Sequence, residues 1–173
     1  MATSVARFST LTARDLMTGT VESIPQEMSL RAAAHLLSQA RISGAPVVDE
    51  LGRCVGVLSA SDFVHLAEQG DRAGASGPSS TCVCSDWQVM DVDRLARDQV
   101  RWHMSARPIT VSPGTRIAEL ARRMTEARVH RLIVVDALGR PIGIVSGTDI
   151  VKAVGVMDYR DGAYRSGDTG HDG

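Results

Sequence analysis

Apolar residues recur along this chain in two alternating rhythms. Leu30, Ala33, Ala34 and Leu37 stand at three- and four-residue intervals, as do Ile117, Leu120, Ala121 and Met124, which is the spacing of one buried stripe on an α-helix. Ser29 and Thr115 lie just ahead of these stretches and offer N-cap hydroxyls. A short apolar run follows each predicted helix, Pro46-Val47-Val48 or Leu132-Ile133-Val134-Val135, then a polar turn with Asp and Gly, then Cys54–Leu58 or Ile142–Val145. Strand, Gly-containing turn and strand predict a hairpin. Short strands are predicted ahead of the helices, at Val21–Ile24 and Ile109–Val111, and closing helices near Ser61-Asp62 and Thr148-Asp149. The order in both halves is β-α-β-β-α.

The two halves are copies. Laying Arg14–Leu66 onto Arg101–Ala153 without a gap makes fifteen positions identical. They include Met17/Met104, Ala40-Arg41/Ala127-Arg128, Leu51-Gly52-Arg53/Leu138-Gly139-Arg140, Gly56/Gly143, Ser59/Ser146 and Asp62/Asp149. The fold class is therefore α+β, two tandem β-α-β-β-α repeats packed with pseudo-twofold symmetry, because one such unit alone buries too little surface. The organisation read from the chain is a first repeat at 11–68, a connector at 69–99, a second repeat at 100–157 and a tail at 158–173. Gln69–Ser80 is rich in Gly, Ser, Asp and Pro and is expected to be a mobile loop. Trp87–Val100 is expected to form a short helix, and the tail, which has no periodicity, to be disordered.

Composition narrows the function. The chain has 173 residues, 43% apolar and 23% charged, enough for a core, and no apolar run of the roughly 18 residues a bilayer span needs. A net charge of −1 and only two each of Phe, Trp and Tyr argue against generic nucleic-acid binding, which wants excess cations and aromatic platforms. The first ten residues show no secretory pattern, and Cys54, Cys82 and Cys84 are too few for a disulfide scaffold. A reducing cytoplasm is the expected compartment.

The segments Gly56-Val57-Leu58-Ser59-Ala60-Ser61-Asp62 and Gly143-Ile144-Val145-Ser146-Gly147-Thr148-Asp149 resemble the Gly, apolar, x, Ser/Thr, x, x, Asp signature of cystathionine-beta-synthase (CBS) domains. Asp15-Leu16-Met17-Thr18, Pro46–Asp49, Thr110–Pro113 and His130-Arg131 add to the likeness, which covers about 140 residues. The chain resembles a stand-alone CBS pair, or Bateman module. That resemblance implies a regulatory module holding AMP, ADP, ATP or S-adenosylmethionine in clefts between the two copies, a homodimer, and an unidentified regulated protein. It implies no obligatory cofactor, no metal and no catalytic residue.

The residues fit that expectation chemically. An aspartate in the first turn of a helix can accept two hydrogen bonds from a ribose diol, and Asp149 and Asp62 are so placed. Ser146, Thr148, Ser59 and Ser61 add hydroxyls. Thr110, Val111, Ile133 and Ile144 are candidates for an adenine slot, with Ile24 and Ala45 as first-repeat counterparts. The resemblance implies that His130 and Arg131 meet phosphate. At the same offset the first repeat has Ser43 and Gly44, so one good site is expected, with Asp149 the stronger candidate. The plainer readings are that both aspartates cap helices, that the apolar residues are core, and that His130-Arg131 belongs to a solvated edge with Arg116, Glu119, Arg122, Arg123 and Glu126.

The signatures of common hydrolases, P-loop enzymes and zinc proteases are absent from the chain. Two other functions stay open: a ligand-free dimerisation or assembly module, and a thiol-dependent regulator using Cys82 and Cys84, whose spacing is unlike that of a structural zinc site. Cys54 is expected in the core.

Overall fold

The computed structural model describes residues 9–70, 81–83, 89–91 and 97–155. In chain order the elements are α1 (Ala13–Leu16), β1 (Ile24–Pro25), α2 (Leu30–Ala40), β2 (Gly44–Val48), β3 (Cys54–Ser59), α3 (Ala60–Gly70), β4 (Thr81–Val83), β5 (Val89–Asp91), a 3₁₀ turn (Val100–Trp102), β6 (Ser105–Ala106), β7 (Thr110–Val111), α4 (Ile117–Ala127), β8 (Arg131–Val135) and β9 (Pro141–Ser146). A helix α5 follows over residues 147–155. The β-α-β-β-α order is present twice.

The chain divides into two compact units, and each borrows the leading segment of the other repeat. The first-repeat unit is Val21–Pro108 with Leu138–Pro141; the second-repeat unit takes the segment up to Thr20, Ile109–Ala137 and the segment from Ile142. In the first-repeat unit the sheet order is β1-β2-β3-β6. β1 runs parallel to β2, and β2 and β3 form the predicted antiparallel hairpin. Residues 98–106 are stapled to this unit through Leu30 N to Asp98 O (2.9 Å) and Val100 N to Met28 O (2.9 Å), and β6 pairs with β3. Val100 is fully buried in a core with Ile24, Leu30, Ala33, Leu37, Val47 and Leu58.

The second-repeat unit repeats the arrangement with residues 11–18. Its sheet order is β7-β8-β9, with β7 parallel to β8. Ala13 N donates to Thr115 O (2.8 Å), Thr18 and Ile144 exchange both backbone bonds (3.0 and 3.1 Å), and Ala13 is buried among Val111, Leu120, Leu132, Val134 and Val145.

That exchange explains two of the repeated identities. A Cβ on Gly143 would land on the Met17 side chain, and one on Gly56 would stand 2.5 Å from Met104 Sδ. Each glycine leaves room for the methionine of the segment laid across it. The repeated Leu-Gly-Arg has a local cause. Gly52 and Gly139 adopt φ of 76° and 79°, conformations that favour glycine. In the first hairpin Asp49 Oδ1 accepts from the amides of Leu51 (3.0 Å) and Arg53 (2.8 Å). The Arg53 guanidinium meets Asp49 Oδ2 at 2.8 Å, and these bonds hold the Asp49 carboxyl below its ordinary pKa.

The helical stripes are buried where expected, at Leu30, Ala33 and Leu37 and at Ile117, Leu120 and Met124. Ser29 caps α2 by accepting from Ala32 N at 3.3 Å. Thr115 does not cap α4: Arg116 occupies the cap position with no side-chain bond, and the Thr115 hydroxyl pairs with Ser112 at 3.1 Å. Both helices end on an arginine in left-handed conformation, Arg41 and Arg128, each at φ 54°. α3 runs on through Gly70, past the predicted start of the loop at Gln69.

The predicted helix at Trp87–Val100 is also corrected. Val89–Asp91 is a strand paired with Thr81–Val83, where β-branched Val and Thr favour extended backbone, and Val100 opens a 3₁₀ turn. Cys54 is on β3 as expected but only half-buried; burial pushes its thiol pKa up. Cys84 and the tail from Asp158 lie outside the described residues, and Cys82 is described only in its backbone. Among the described residues no helix is long and apolar enough to cross a membrane.

Candidate functional site

Where β9 passes into α5, the Ser-x-x-Asp sequence builds a capping box, an arrangement that satisfies the free amides at a helix start. The Asp149 carboxylate accepts from Ser146 N at 2.8 Å and Ser146 Oγ at 2.6 Å, both through Oδ2. Asp149 N donates back to Ser146 Oγ at 3.3 Å. One carboxylate oxygen thus does the capping, and Oδ1 has no protein partner among the described residues. Asp149 is half-exposed and Thr148 exposed. Capping uses Oδ2 alone, so it does not preclude a further hydrogen bond at Oδ1.

The other second-repeat candidates belong to the same unit. Thr110 and Val111 form β7, Ile133 lies on β8 opposite Thr110, and Ile144 is on β9 two residues before Ser146. Val111 is 3% and Ile133 7% exposed, so these two are chiefly core, whereas Thr110 and Ile144 are half-exposed. His130 and Arg131 are exposed at the start of β8. The His130 carbonyl accepts Gly147 N at 2.9 Å, which ties the basic pair to the start of α5. Beside them opens a groove of about 430 Å³ lined in part by Met124, Arg128, Val129, His130, Gly147 and Ile150.

The first repeat builds the same box. Asp62 Oδ2 accepts Ser59 N and Ser59 Oγ, both at 2.7 Å, and the Ser61 hydroxyl is 2.8 Å from that of Ser59. Ile24 has no accessible surface and Ala45 is 2% exposed, so both are enclosed in the core and offer no side-chain surface to a ligand. The basic pair has no counterpart here, and packing at Gly44 is tight. A Cβ on Gly44 would stand 3.0 Å from Ser59 Cβ and 3.1 Å from Leu58 O, so a side chain like that of Arg131 at the equivalent place would need the neighbouring strand to shift by a few tenths of an ångström.

Two contributors escaped the sequence. Arg123, read as part of a solvated edge, donates from Nε to Glu119 Oε1 (2.7 Å) and from Nη1 to the Thr110 carbonyl (3.2 Å), so it braces the strand that presents Thr110. Ser105 Oγ donates to Asp62 Oδ1 at 3.3 Å. No spacing signals either contact: one joins a helix to a strand thirteen residues earlier, and the other depends on the exchanged segment. Glu119 also receives the Arg122 fork at 2.7 and 2.8 Å, and the two guanidiniums lower its pKa to about 2.

Both repeats thus build a hairpin that closes on a helix capped by Ser-x-x-Asp, and comparison with known proteins gives the family. The profile described as CBS domain matches residues 13–68 and 96–156. The chain belongs to the CBS domain family. Over 130 residues it is 29% identical to "CBS domain-containing protein CBSX2, chloroplastic" of Arabidopsis thaliana, covering 72% of this chain and 55% of that protein. It is 30% identical over 130 residues to "Uncharacterized protein MJ1426" of Methanocaldococcus jannaschii, covering 69% and 77%. The chain thus spans about half the length of the plant relative. The crystal structure of CBSX2 in complex with AMP superposes with a TM-score of 0.64 at 26% identity, covering 85% of this chain and 98% of that one.

Proposed function

We propose that this chain is a regulatory module whose second repeat binds an adenosine-containing ligand (AMP, ADP, ATP or S-adenosylmethionine) and passes its occupancy to a partner protein. The observation that carries this reading is the capping box at Ser146–Asp149, which holds a carboxylate rigid while leaving Oδ1 open. A ribose diol would donate to that oxygen, with Thr148 alongside. His130 and Arg131 supply cations for phosphate, and Thr110 and Ile144 give partly exposed surface for the base. The likeness to a CBS pair crystallised with AMP supports the same ligand class. Occupancy favours whichever packing of the module fits the ligand better, which is how binding would be relayed. Isothermal titration with the four ligands tests the reading. Binding by at least one, weakened tenfold or more in Asp149→Asn, is expected; no heat from any of them at millimolar concentration refutes it.

A second, compatible reading is self-association. Val64 on α3 and Val151 and Val154 on α5 are 40%, 69% and 50% exposed, and Val64 and Val151 are equivalent in the repeat. Apolar side chains on matching helices suit a homodimer face. A monomeric mass in light scattering at about 100 µM, roughly 100 times a micromolar Kd, would exclude it.

A further inference from the structure

We infer that Ser105 biases ligand choice between the two motif carboxylates, because it occupies part of the first repeat's outward carboxylate oxygen. This rests on the ligand class proposed above. The two boxes are alike in their Oδ2 bonds: Asp62 takes Ser59 N and Oγ, and Asp149 takes Ser146 N and Oγ. They differ at the outward oxygen. Asp62 Oδ1 already accepts the Ser105 hydroxyl at 3.3 Å, whereas Asp149 Oδ1 has no protein donor among the described residues. The residue equivalent to Ser105 in the repeat is Thr18, which pairs with Ile144 through its backbone and makes no side-chain bond to Asp149.

Geometry keeps Ser105 in place. It lies on β6, in register with Val57 of β3, in the segment whose Val100 is sealed in the first-repeat core. Gly56, one residue from Val57, admits the Met104 side chain next to Ser105. A diol approaching Asp62 Oδ1 meets an oxygen with one lone pair already taken by a hydroxyl that a paired strand presents, and must share that oxygen or displace the hydroxyl, while Asp149 Oδ1 offers both its lone pairs. An exposed hydrogen bond as long as 3.3 Å falls in the weaker range, worth about three- to tenfold in a binding constant. The missing cations at Ser43 and Gly44 compound the effect for phosphorylated ligands, so adenosine itself is the better reporter of the first carboxylate.

The test is titration of the full chain with adenosine and with AMP, using wild type, Ser105→Ala, Asp62→Asn, Asp149→Asn and the Ser105→Ala/Asp62→Asn double variant. Ser105 is exposed, and thermal melts verify that each variant folds. Wild type is expected to bind one ligand per chain, weakened by Asp149→Asn and unmoved by Asp62→Asn. Ser105→Ala is expected to strengthen adenosine binding at a second site by about three- to tenfold, and the double variant to lose that gain. If wild-type binding depends on Asp62 as much as on Asp149, or if Ser105→Ala adds nothing while wild type binds, this assignment fails and the broader reading stands. If no protein in the set binds either compound, nor ADP, ATP or S-adenosylmethionine, both fall together.

Discussion

Replacing Gly143 by alanine places a methyl group where the Met17 side chain lies. The new Cβ would fall on Sδ and stand 2.8 Å from Cγ and 3.0 Å from Cβ of Met17. A rotamer change can move Sδ, but Met17 Cβ is fixed to a backbone held by Thr18–Ile144 pairing, so the strain cannot be relieved by the side chain alone. Overpacking of this size costs about 1–3 kcal/mol. The loss of chain entropy in the unfolded state offsets about 0.4–1 kcal/mol, because the native φ at Gly143 is open to alanine. The net is a loss of about 1.3 kcal/mol at mid-range, within limits of about 0 and 2.6, or about 3–5 °C in Tm for a chain of this length. Thermal unfolding of a double-mutant cycle identifies the cause. Met17→Ala should empty the space the methyl enters, so the double variant should be more stable than the sum of the singles by at least about 0.5 kcal/mol. Met17→Ala combined with Gly56→Ala should be additive, since Gly56 faces Met104. Additivity in the first pair, or coupling in the second, would refute the exchange of leading segments between the repeats.

Further outcomes follow from local chemistry. Glu119 is held at a pKa of about 2 against 4.5 for a free glutamate, so its contribution is complete above about pH 4.5 and is lost as pH falls toward 2; melting curves of wild type and Glu119→Gln should differ at pH 7 and converge in acid. Ser29→Ala removes the α2 cap and should cost about 1 kcal/mol in denaturant unfolding. Arg128→Gly relieves a left-handed arginine at the end of α4; set against the extra freedom of glycine when unfolded, a gain of about 0.5–1 kcal/mol is expected, and a lowered Tm would contradict it. Arg123→Leu, which installs the residue the first repeat has at Leu36, should speed hydrogen exchange at β7 and weaken AMP binding, while Arg123→Lys should restore part of both.

Most of the architecture was legible because it is local and stated twice. Helical stripes, the hairpin turn with its positive-φ glycine and the Ser-x-x-Asp caps all lie within a few residues, and the second copy removes coincidence from each. Element ends were less so: Thr115 looks like a cap, yet its hydroxyl turns to Ser112. Within the site, the capping geometry of Asp62 and Asp149 could be anticipated from spacing, but the enclosure of Ile24 and Ala45 could not, since periodicity says a residue faces inward without saying how completely it is covered.

The linear order of residues by itself determined the repeat, its β-α-β-β-α content, the aliphatic core and the difference between His130-Arg131 and Ser43-Gly44. Tertiary structure alone decided that residues 11–18 complete the second repeat's unit and 98–106 the first's, that Arg123 braces Thr110, and that Ser105 meets Asp62. The physical reason is range. Hydrogen-bonded turns and amphipathic stripes are set by neighbours three or four positions apart, whereas the partner of a half-buried methionine or an outward carboxylate oxygen is whichever segment the whole chain can bring to it, and nothing in the spacing names that segment.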